Sequence, residues 1–500
     1  MNDTTLRVAL RADASPQFGL GHVRRCLSLA QALSHIGSPT CMVTRWLGVD
    51  TAPLAAQAGV THIRLDAAAD QDAEATAALL RDWRPDLIVV DHYALDARWH
   101  VTVKAMLPVR IAAIDDLADR PLAVDLLIDH NYARDHRAKY AGRLPPGTPM
   151  LAGPRHALLS PTYATAPGYR FRKAVESIGI FMGGVDAAGI TERVVRACRR
   201  HARFAGRIEV ATTRANPHIA TLRDLCSRDI DMTLLVDAAD LTDFFARHDL
   251  QIGAGGGASW ERCCMGSPTL ALLCAKNQEA LIPALAELGV VATPDPLGAL
   301  DEPAVGRAIA DLLSNPRRRR AMSESSREMV DGSGARRVAL HLNRTSLRVR
   351  PAGPSDAAMM HAWRNDAATR RVSIDEHPID WDSHVAWLVR TLADPTRMLL
   401  VGMVGAVSIG VIRLDRMASD EVEVSLFLDP ALHGLGLGST LLRAGELHVL
   451  ECAQVPFGAF TARVLDSNVP SQRLFAAAGY QPETGGRWHK SAVASATRKS

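Results

Sequence analysis

LRVALRADASPQFGLGHVRRCLSLAQALSHIG, residues 6–37, decides the fold class. Leu6–Ala12 is an apolar run of strand length, and Val23–Ser34 carries apolar residues at helical spacing as far as Gly37. The loop Arg11–His22 between them holds Gly19 and Gly21, which let a backbone turn sharply and approach a ligand closely. A strand that enters a helix through such a turn is the repeating unit of a parallel α/β sheet. The rhythm continues outward, with strands predicted at Cys41–Trp46, His62–Leu65, Leu87–Asp91, Arg110–Asp115 and Leu126–Asp129 and helical patterns between most of them.

A Pro/Gly-rich stretch, Leu144–Pro154, interrupts the alternation, which then restarts. Further strands are predicted at Ser177–Met182, Arg207–Ala211, Met232–Val236, Leu250–Ile252, Thr269–Leu273 and Val290–Ala292. The expected architecture is α/β, with two doubly wound halves, residues 1–160 and 161–342, followed by a mixed α/β domain over 346–500. Asp331–Ser346, rich in turn residues, reads as the linker. The third domain opens with a strand at Leu347–Arg350 and a helix around Ala357–Asn365, followed by a hairpin and the strand Val422–Leu428. Ligands of doubly wound folds bind at the carboxyl ends of the strands, so the loops leaving them are where chemistry is sought.

Bulk properties exclude several functions. Among 500 residues, 57 basic and 54 acidic side chains nearly cancel to a net +3, too little for a phosphate-backbone footprint, so no nucleic-acid partner is expected. The longest uncharged apolar run, Met398–Ile412, is 15 residues interrupted by three glycines, and a membrane helix needs roughly 20. It reads instead as the hairpin, turning near Gly402–Gly405, and no membrane partner is expected. The start of the chain lacks a signal-peptide pattern, and the eight cysteines sit mostly in apolar segments without a C-x-x-C. Reduced thiols in a cytoplasmic protein are the expectation. Arg317–Arg320 reads as a solvated charged face.

His22 opens the helical pattern after Gly21. Free N–H groups and partial positive charge make a helix N-terminus suited to phosphate, and an imidazole there can take a proton from water. Spacing alone is equally compatible with a histidine that caps the helix or satisfies a loop carbonyl. Arg25 lies one turn on, where it can face the same way. Asp13 either holds the tautomer of His22 or only shapes the turn. In the second half, Leu250–Ile252 leads into Gly253-Ala-Gly-Gly256-Gly257-Ala-Ser259-Trp-Glu261, a glycine turn entering a helix that suits diphosphate but equally forms a plain tight turn. Ser259 can donate to an oxygen, Glu261 can accept from ribose hydroxyls, and Asn277 and Gln278 follow the next strand as an amide pair. Asp91, Asp115, Asp116 and Asp129 end strands without forming a recognisable ligand set, and no metal is expected.

Gly19–Ala30 (G-L-G-H-V-R-R-C-L-S-L-A) behind R-A-D-A-S resembles the UDP-sugar hydrolases of pseudaminic acid synthesis (PseG type), as do Gly183-Gly-Val-Asp186, Gly255–Glu261 and Asp331-Gly-Ser-Gly-Ala-Arg336. The resemblance covers roughly residues 5–342. It implies a GT-B fold, release of UDP from UDP-2,4-diacetamido-2,4,6-trideoxy-altrose with inversion, His22 as catalytic base, Tyr93 in the cleft, and UDP at Gly256, Gly257, Ser259 and Glu261, with Gly21 and Arg25 on the substrate side. Gly189 departs from the family, which has a polar Asn there. A GT-B glycosyltransferase, a hydrolysing UDP-sugar epimerase and a non-catalytic nucleotide-sugar sensor are the alternatives.

The third domain holds a second glycine turn. Glu421–Asp429 is a strand with polar residues at alternate positions, and His433-Gly-Leu435-Gly436-Leu-Gly438-Ser439 follows, suited to a pyrophosphate. With Asp466-Ser-Asn468-Val-Pro-Ser471 and Phe475 to Tyr480 downstream, it resembles the GNAT acetyltransferases over about 346–490. Asn365, His384 and Trp387 are similar to members that acetylate amino-sugar nucleotides. The resemblance implies acetyl-CoA as co-substrate, held by Leu435, Gly436, Gly438 and Ser439, with Leu426 beside pantetheine, Asn468 by the cofactor, and a UDP-amino sugar as acceptor. His433 and Phe475 depart from the family, which has Gln or Arg and, in many members, a thiolate-protonating Tyr. Glu423 is either a base on the strand or a surface alternate.

Overall fold

The computed structural model describes residues 5–16, 19–417, 420–452 and 457–492. Seven strands form the first sheet: β1 (Val8–Ala12), β2 (Thr40–Arg45), β3 (Thr61–Leu65), β4 (Leu87–Asp91), β5 (Arg110–Ile114), β6 (Leu126–Asp129) and β7 (Met150–Ala152). Their order is β3-β2-β1-β4-β5-β6-β7 and every pairing is parallel. β1 and β4 are buried at every position, which is why they read as continuous apolar runs rather than alternating ones. β7 was not expected. It lies inside the Pro/Gly-rich stretch and pairs through only three positions of β6, too short for a periodicity to register.

The second sheet has β8 (Ser177–Phe181), β9 (Arg207–Thr212), β10 (Met232–Val236), β11 (Leu250–Ala254) and β12 (Thr269–Leu272), all parallel in the order β10-β9-β8-β11-β12. The strand predicted at Val290–Ala292 reduces to a single bridge between Leu270 and Ala292. Strand order reverses between β1 and β4 and between β8 and β11, so each sheet is doubly wound and opens a crevice at that switch point. Helices α1 (Gly21–His35), α2 (Ile190–Arg196) and α3 (Ala258–Met265) follow β1, β8 and β11, starting at those crevices.

Arg317, Arg318 and Arg320 of the arginine run are exposed, and Arg319 alone departs from the expected solvated face. Arg319 is fully buried and donates to the carbonyls of Leu312, Leu313 and Lys173, closing the end of the preceding helix Glu302–Ser314. The expected linker is also more ordered than its composition suggests, because Gly334–Leu342 is helical.

The third sheet is mixed. β13 (Arg348–Pro351), β14 (Arg397–Val404), β15 (Val407–Arg416), β16 (Glu421–Leu428), β17 (Ala459–Arg463), β18 (Gln481–Pro482) and β19 (Arg487–Ser491) lie in the order β13-β14-β15-β16-β17-β19-β18. The apolar run Met398–Ile412 is a hairpin that turns at Gly405 and Ala406. α4 (Ala357–Asn365) and α5 (Trp381–Ala393) cover part of this sheet through Met360, Leu388, Leu399 and Val411, and α6 (Leu437–Cys452) and α7 (Val469–Ala477) follow the glycine turn and β17. The chain divides into two compact units, one of Arg7–Ser34 with Pro39–Val338, the other built on Ala339–Ser500 with the short pieces Met1–Leu6 and His35–Ser38.

Candidate active sites

Two carboxylate–imidazole pairs are exchanged across the switch point of the first sheet. From the end of β4, the fully buried Asp91 accepts from His22 Nδ1 at 2.7 Å, at the start of α1. From just beyond β1, Asp13 takes the opposite partner: its Oδ2 lies 3.2 Å from His92 Nε2. Asp13 also accepts from Arg11 and from the Arg45 backbone N–H at 2.7 Å. The expectation that Asp13 holds the tautomer of His22 is therefore corrected. Asp13 is consumed by the buried Arg11, itself shared with Asp72, and Asp91 is the group that orients His22.

Burial opposes the ionisation of Asp91, but the Arg25 guanidinium and His22 outweigh it and hold the carboxyl well below the usual carboxylate range. An ionised carboxylate can only accept, so Nδ1 of His22 carries a hydrogen and Nε2 is the nitrogen left to exchange a proton. Arg25 grips both oxygens of Asp91 through Nε and Nη2 and lies 3.1 Å from His22 Nδ1. Its charge serves the carboxylate. Gly19 adopts the left-handed φ of +74° and provides the turn, whereas Gly21 is the first helical residue with no neighbour within 4 Å of a Cβ placed on it. Gln17 and Phe18, in the same loop, lie outside the described residues.

Tyr93 packs edge-on against His22, with ring centroids 4.6 Å apart at 84°. Its hydroxyl donates to Asp116 Oδ1 at 2.9 Å, and burial followed by the Asp116 charge pushes the phenol well above its ordinary pKa. Asp116 and Asn131 also belong to this site. Sequence order gave no sign of their pairing, although both follow the carboxyl ends of strands.

In the second half, α2 and α3 start at the two sides of the switch point and differ in one respect. Asp186 caps α2 by accepting from Ile190 N and Thr191 N, and Gly189 is left-handed (φ +62°) beside His218. α3 has no side-chain cap. Four glycines precede it. A Cβ on Gly253 would fall 2.2 Å from Arg262, and one on Gly255 would fall 2.3 Å from Ile282. Gly256 meets nothing closer than 3.9 Å and Gly257 nothing within 4 Å, and neither has positive φ, so the fold itself does not demand glycine at these two positions. Bare backbone at an uncapped helix start is what close approach of an anion requires. Ser259 is buried and its Oγ accepts from Arg262 at 3.2 Å. Glu261 is half-buried and hydrogen-bonded by Tyr163; burial raises its pKa against the pull of Arg24 and Arg262. Gln278 packs over Gly255 and accepts from Cys274 N at 2.8 Å, while Asn277 is exposed.

In the third sheet β16 and β17 pair, in parallel, only at Glu421–Ala459, Val422–Phe460 and Glu423–Thr461, although β16 stays paired with β15 through Leu428. The edge of β16 that carries Leu426 thus leaves its neighbour, opening a wedge above the glycine turn. Gly434 and Gly436 are left-handed (φ +81° and +74°), and a Cβ on Gly436 would meet nothing within 4 Å. Gly438 differs: its Cβ would fall 2.7 Å from Leu474, so helix packing accounts for it. Leu435 is buried with its carbonyl accepting from His341 Nδ1, and Ser439 is exposed on the first turn of α6. The donor-rich turn and unpaired strand edge fit an acyl-coenzyme A.

Asn468 caps α7 through Ser471 N at 3.1 Å and donates to Val372 O at 3.2 Å. Asn365 pins the loop before α5 with two bonds to the backbone of Ile379, and His384 Nε2 is 3.1 Å from the Ala357 carbonyl. Glu423 is half-buried, 4.0 Å from Arg463. Phe475 is buried edge-on to Tyr480, whose hydroxyl is committed to Glu446 at 2.7 Å. Among the described residues no group of three or more His, Cys, Asp or Glu is arranged to hold a metal, and no helix is long and apolar enough to cross a membrane.

Residues 346–481 match the acetyltransferase (GNAT) domain family. The UDP-2,4-diacetamido-2,4,6-trideoxy-beta-L-altropyranose hydrolase of Campylobacter jejuni is 23% identical over 286 residues, covering 57% of this chain and 97% of that protein. Spore coat polysaccharide biosynthesis protein SpsG of Bacillus subtilis is 22% identical over 340 residues, 67% of this chain and 96% of its own length. Among solved structures, S. aureus MnaA with UDP is similar over 68% of this chain and 96% of its own, at 14% identity and a TM-score of 0.47. A spermidine N-acetyltransferase from Vibrio cholerae, with CoA and spermine, is similar over 30% of this chain and 98% of its own, at 15% identity and a TM-score of 0.28. The chain therefore joins a GNAT acetyltransferase domain, which takes acetyl-CoA as co-substrate, to a longer N-terminal part that resembles the UDP-sugar hydrolases of PseG type.

Proposed function

We propose that the N-terminal part hydrolyses UDP-2,4-diacetamido-2,4,6-trideoxy-β-L-altropyranose with release of UDP, and that the GNAT domain acetylates the 4-amino group of its UDP-amino-sugar precursor. Both steps belong to nonulosonic acid synthesis in the cytoplasm, pseudaminic acid being the product the hydrolase resemblance suggests. The observation that carries the hydrolase reading is the His22–Asp91 pair at the start of α1, in the same compact unit as the uncapped α3. In this reading His22 Nε2 takes a proton from water as the water oxygen bonds the anomeric carbon. The glycosidic C–O bond breaks on the opposite face and its electron pair leaves with UDP, inverting the centre. Asp91 stabilises the imidazolium so formed, and the amides at Gly256, Gly257 and the start of α3 receive the diphosphate. UDP is already a good leaving group, so the step needs little acid assistance. In the GNAT domain the turn at Leu435–Ser439 and the free edge of β16 at Leu426 hold the acyl donor.

The test supplies the full chain with a UDP-4-amino-4,6-dideoxy sugar and acetyl-CoA, following coenzyme A thiol and UDP and identifying products by mass and NMR. Acetylation followed by free sugar with its C2 configuration kept supports the reading. Free sugar epimerised at C2 would make the N-terminal part an epimerase, and UDP release only with an added acceptor would make it a glycosyltransferase. His22→Asn should lower kcat about 10²–10⁴-fold while UDP still binds.

A further inference from the structure

Four side chains join the two sheets of the N-terminal part by hydrogen bonds. Trp260, buried in the first turn of α3 between Ser259 and Glu261, donates its indole N–H to Asn131 Oδ1 at 3.0 Å. Asn131 Nδ2 donates to Asp116 Oδ2 at 3.1 Å, Asp116 Oδ1 accepts from Tyr93, and the Tyr93 ring lies edge-on to His22. The donor–acceptor pattern restricts the middle residue sharply. An indole N–H only donates and a carboxylate only accepts, so the bridging side chain must accept on one side and donate on the other, which an amide does. Its backbone is fixed as well: Asn131 N donates to Asp129 Oδ1 at 3.0 Å, and its carbonyl is 3.0 Å from His136 Nε2.

We infer that Asn131 is a positioning residue that couples α3, the helix receiving the nucleotide, to Tyr93 and His22, where water is activated. The inference rests on the hydrolase reading above. Asn131 touches none of the reacting atoms. It holds the Tyr93–Asp116 pair, and through it the ring against His22, in register with the helix that fixes UDP. Errors of about 1 Å between nucleophile and electrophile cost on the order of 10²-fold.

Four substitutions in the full chain test this, singly and combined, with UDP alone as the binding probe and the UDP-sugar as the turnover probe. Asn131→Leu and Trp260→Phe should each lower kcat about 10–100-fold, a larger factor than either moves the Kd for UDP. Trp260→Phe serves as the test if Asn131→Leu fails to fold. Asn131→Asp keeps the acceptor for the indole but sets a second carboxylate against Asp116. Its kcat relative to wild type at the same pH should recover as pH falls and the two carboxylates come to share one proton, a rescue that a merely structural role would not give. A cycle of Tyr93→Phe and Trp260→Phe on UDP affinity should be non-additive, and additive once Asn131 is Leu. Kcat of Asn131→Leu and Trp260→Phe within twofold of wild type, or an additive cycle in the wild-type background, overturns the inference and leaves the hydrolase reading intact. A wild type that fails to bind UDP overturns both. If UDP binds without turnover of the UDP-sugar, the hydrolase reading falls and the affinity cycle alone decides the coupling.

Discussion

Replacing Asp91 by Asn separates orientation of His22, the base of the proposed hydrolysis, from support of the fold. The amide occupies the same volume, but it removes the charge facing His22 and offers the ring an ambiguous partner. An imidazolium and a carboxylate about 4 Å apart, charge centre to charge centre, interact by about 4 kcal/mol at an effective dielectric near 20. Since each 1.4 kcal/mol is a factor of ten in rate, loss of most of that interaction in the transition state lowers kcat by about 10²–10³-fold. The same change strands Arg25, which holds both Asp91 oxygens. Removing one partner of a buried ion pair costs about 3–5 kcal/mol, and Asp116, 3.8 Å from Arg25 Nη1, puts the expected stability loss at the lower end. UDP release by the folded fraction is measured beside a thermal melt and a calorimetric Kd for UDP, which should stay within threefold. Asp13→Asn is the contrast. It breaks an equally buried network yet leaves His22 oriented, so stability falls while kcat of the surviving protein stays within tenfold. The opposite ranking, with Asp13→Asn the slower enzyme, would refute the assignment of Asp91 as the partner of the base.

Three further outcomes follow from the same structure. Gly256→Ala should melt within about 2 °C of wild type and weaken UDP binding about tenfold, whereas Gly255→Ala, whose Cβ would fall 2.3 Å from Ile282, should lose stability in the melt. Phe475→Tyr should raise the rate of coenzyme A release and leave acetyl-CoA affinity nearly unchanged, because a thiol titrating near 8.5 leaves tolerably as the thiolate and gains from a nearby acid. No coenzyme A release by the wild type on any UDP-amino sugar would show that the domain does not acetylate this substrate. Burial pulls His100, His130 and His156 down to about 4, against about 6.5 in an unfolded chain. Between those values the unfolded state binds protons that the folded state refuses, so the melting temperature should fall as pH drops from about 6.5 to 4, less steeply in His100→Gln.

The sequence located the ends of elements best where polarity changes abruptly. Leu87–Asp91, Leu126–Asp129 and Met232–Val236 were legible to the residue, because apolar runs stop at charged or polar neighbours. β7 hid among prolines and glycines; of the strands after α6, β18 has only two exposed residues, β19 is half-buried without alternation, and β17 is a five-residue run, buried at four positions, that stands apart from the glycine-turn pattern. The turns bearing His22 and Gly256 were visible because strand, glycine and helix are contiguous. Their partnerships were not. Asp91 lies 69 residues from His22, and only the parallel pairing of β1 with β4 brings them together, while Asp13, near in sequence, faces His92. Asn131 and Trp260 are farther apart still, and nothing in either neighbourhood names the other.

The glycines before α3 should leave two different marks on any collection of divergent or randomised sequences. Gly253 and Gly255 have no room for a methyl group, so substitutions there should be depleted from every folded survivor, whatever chemistry it performs. Gly256 and Gly257 have room, so a library sorted only for abundance should accept alanine at both positions. One sorted for nucleotide binding should reject it. A lineage that abandoned the ligand would drift first at those two residues, and the contrast between neighbouring positions would date the loss of the site independently of the loss of the fold.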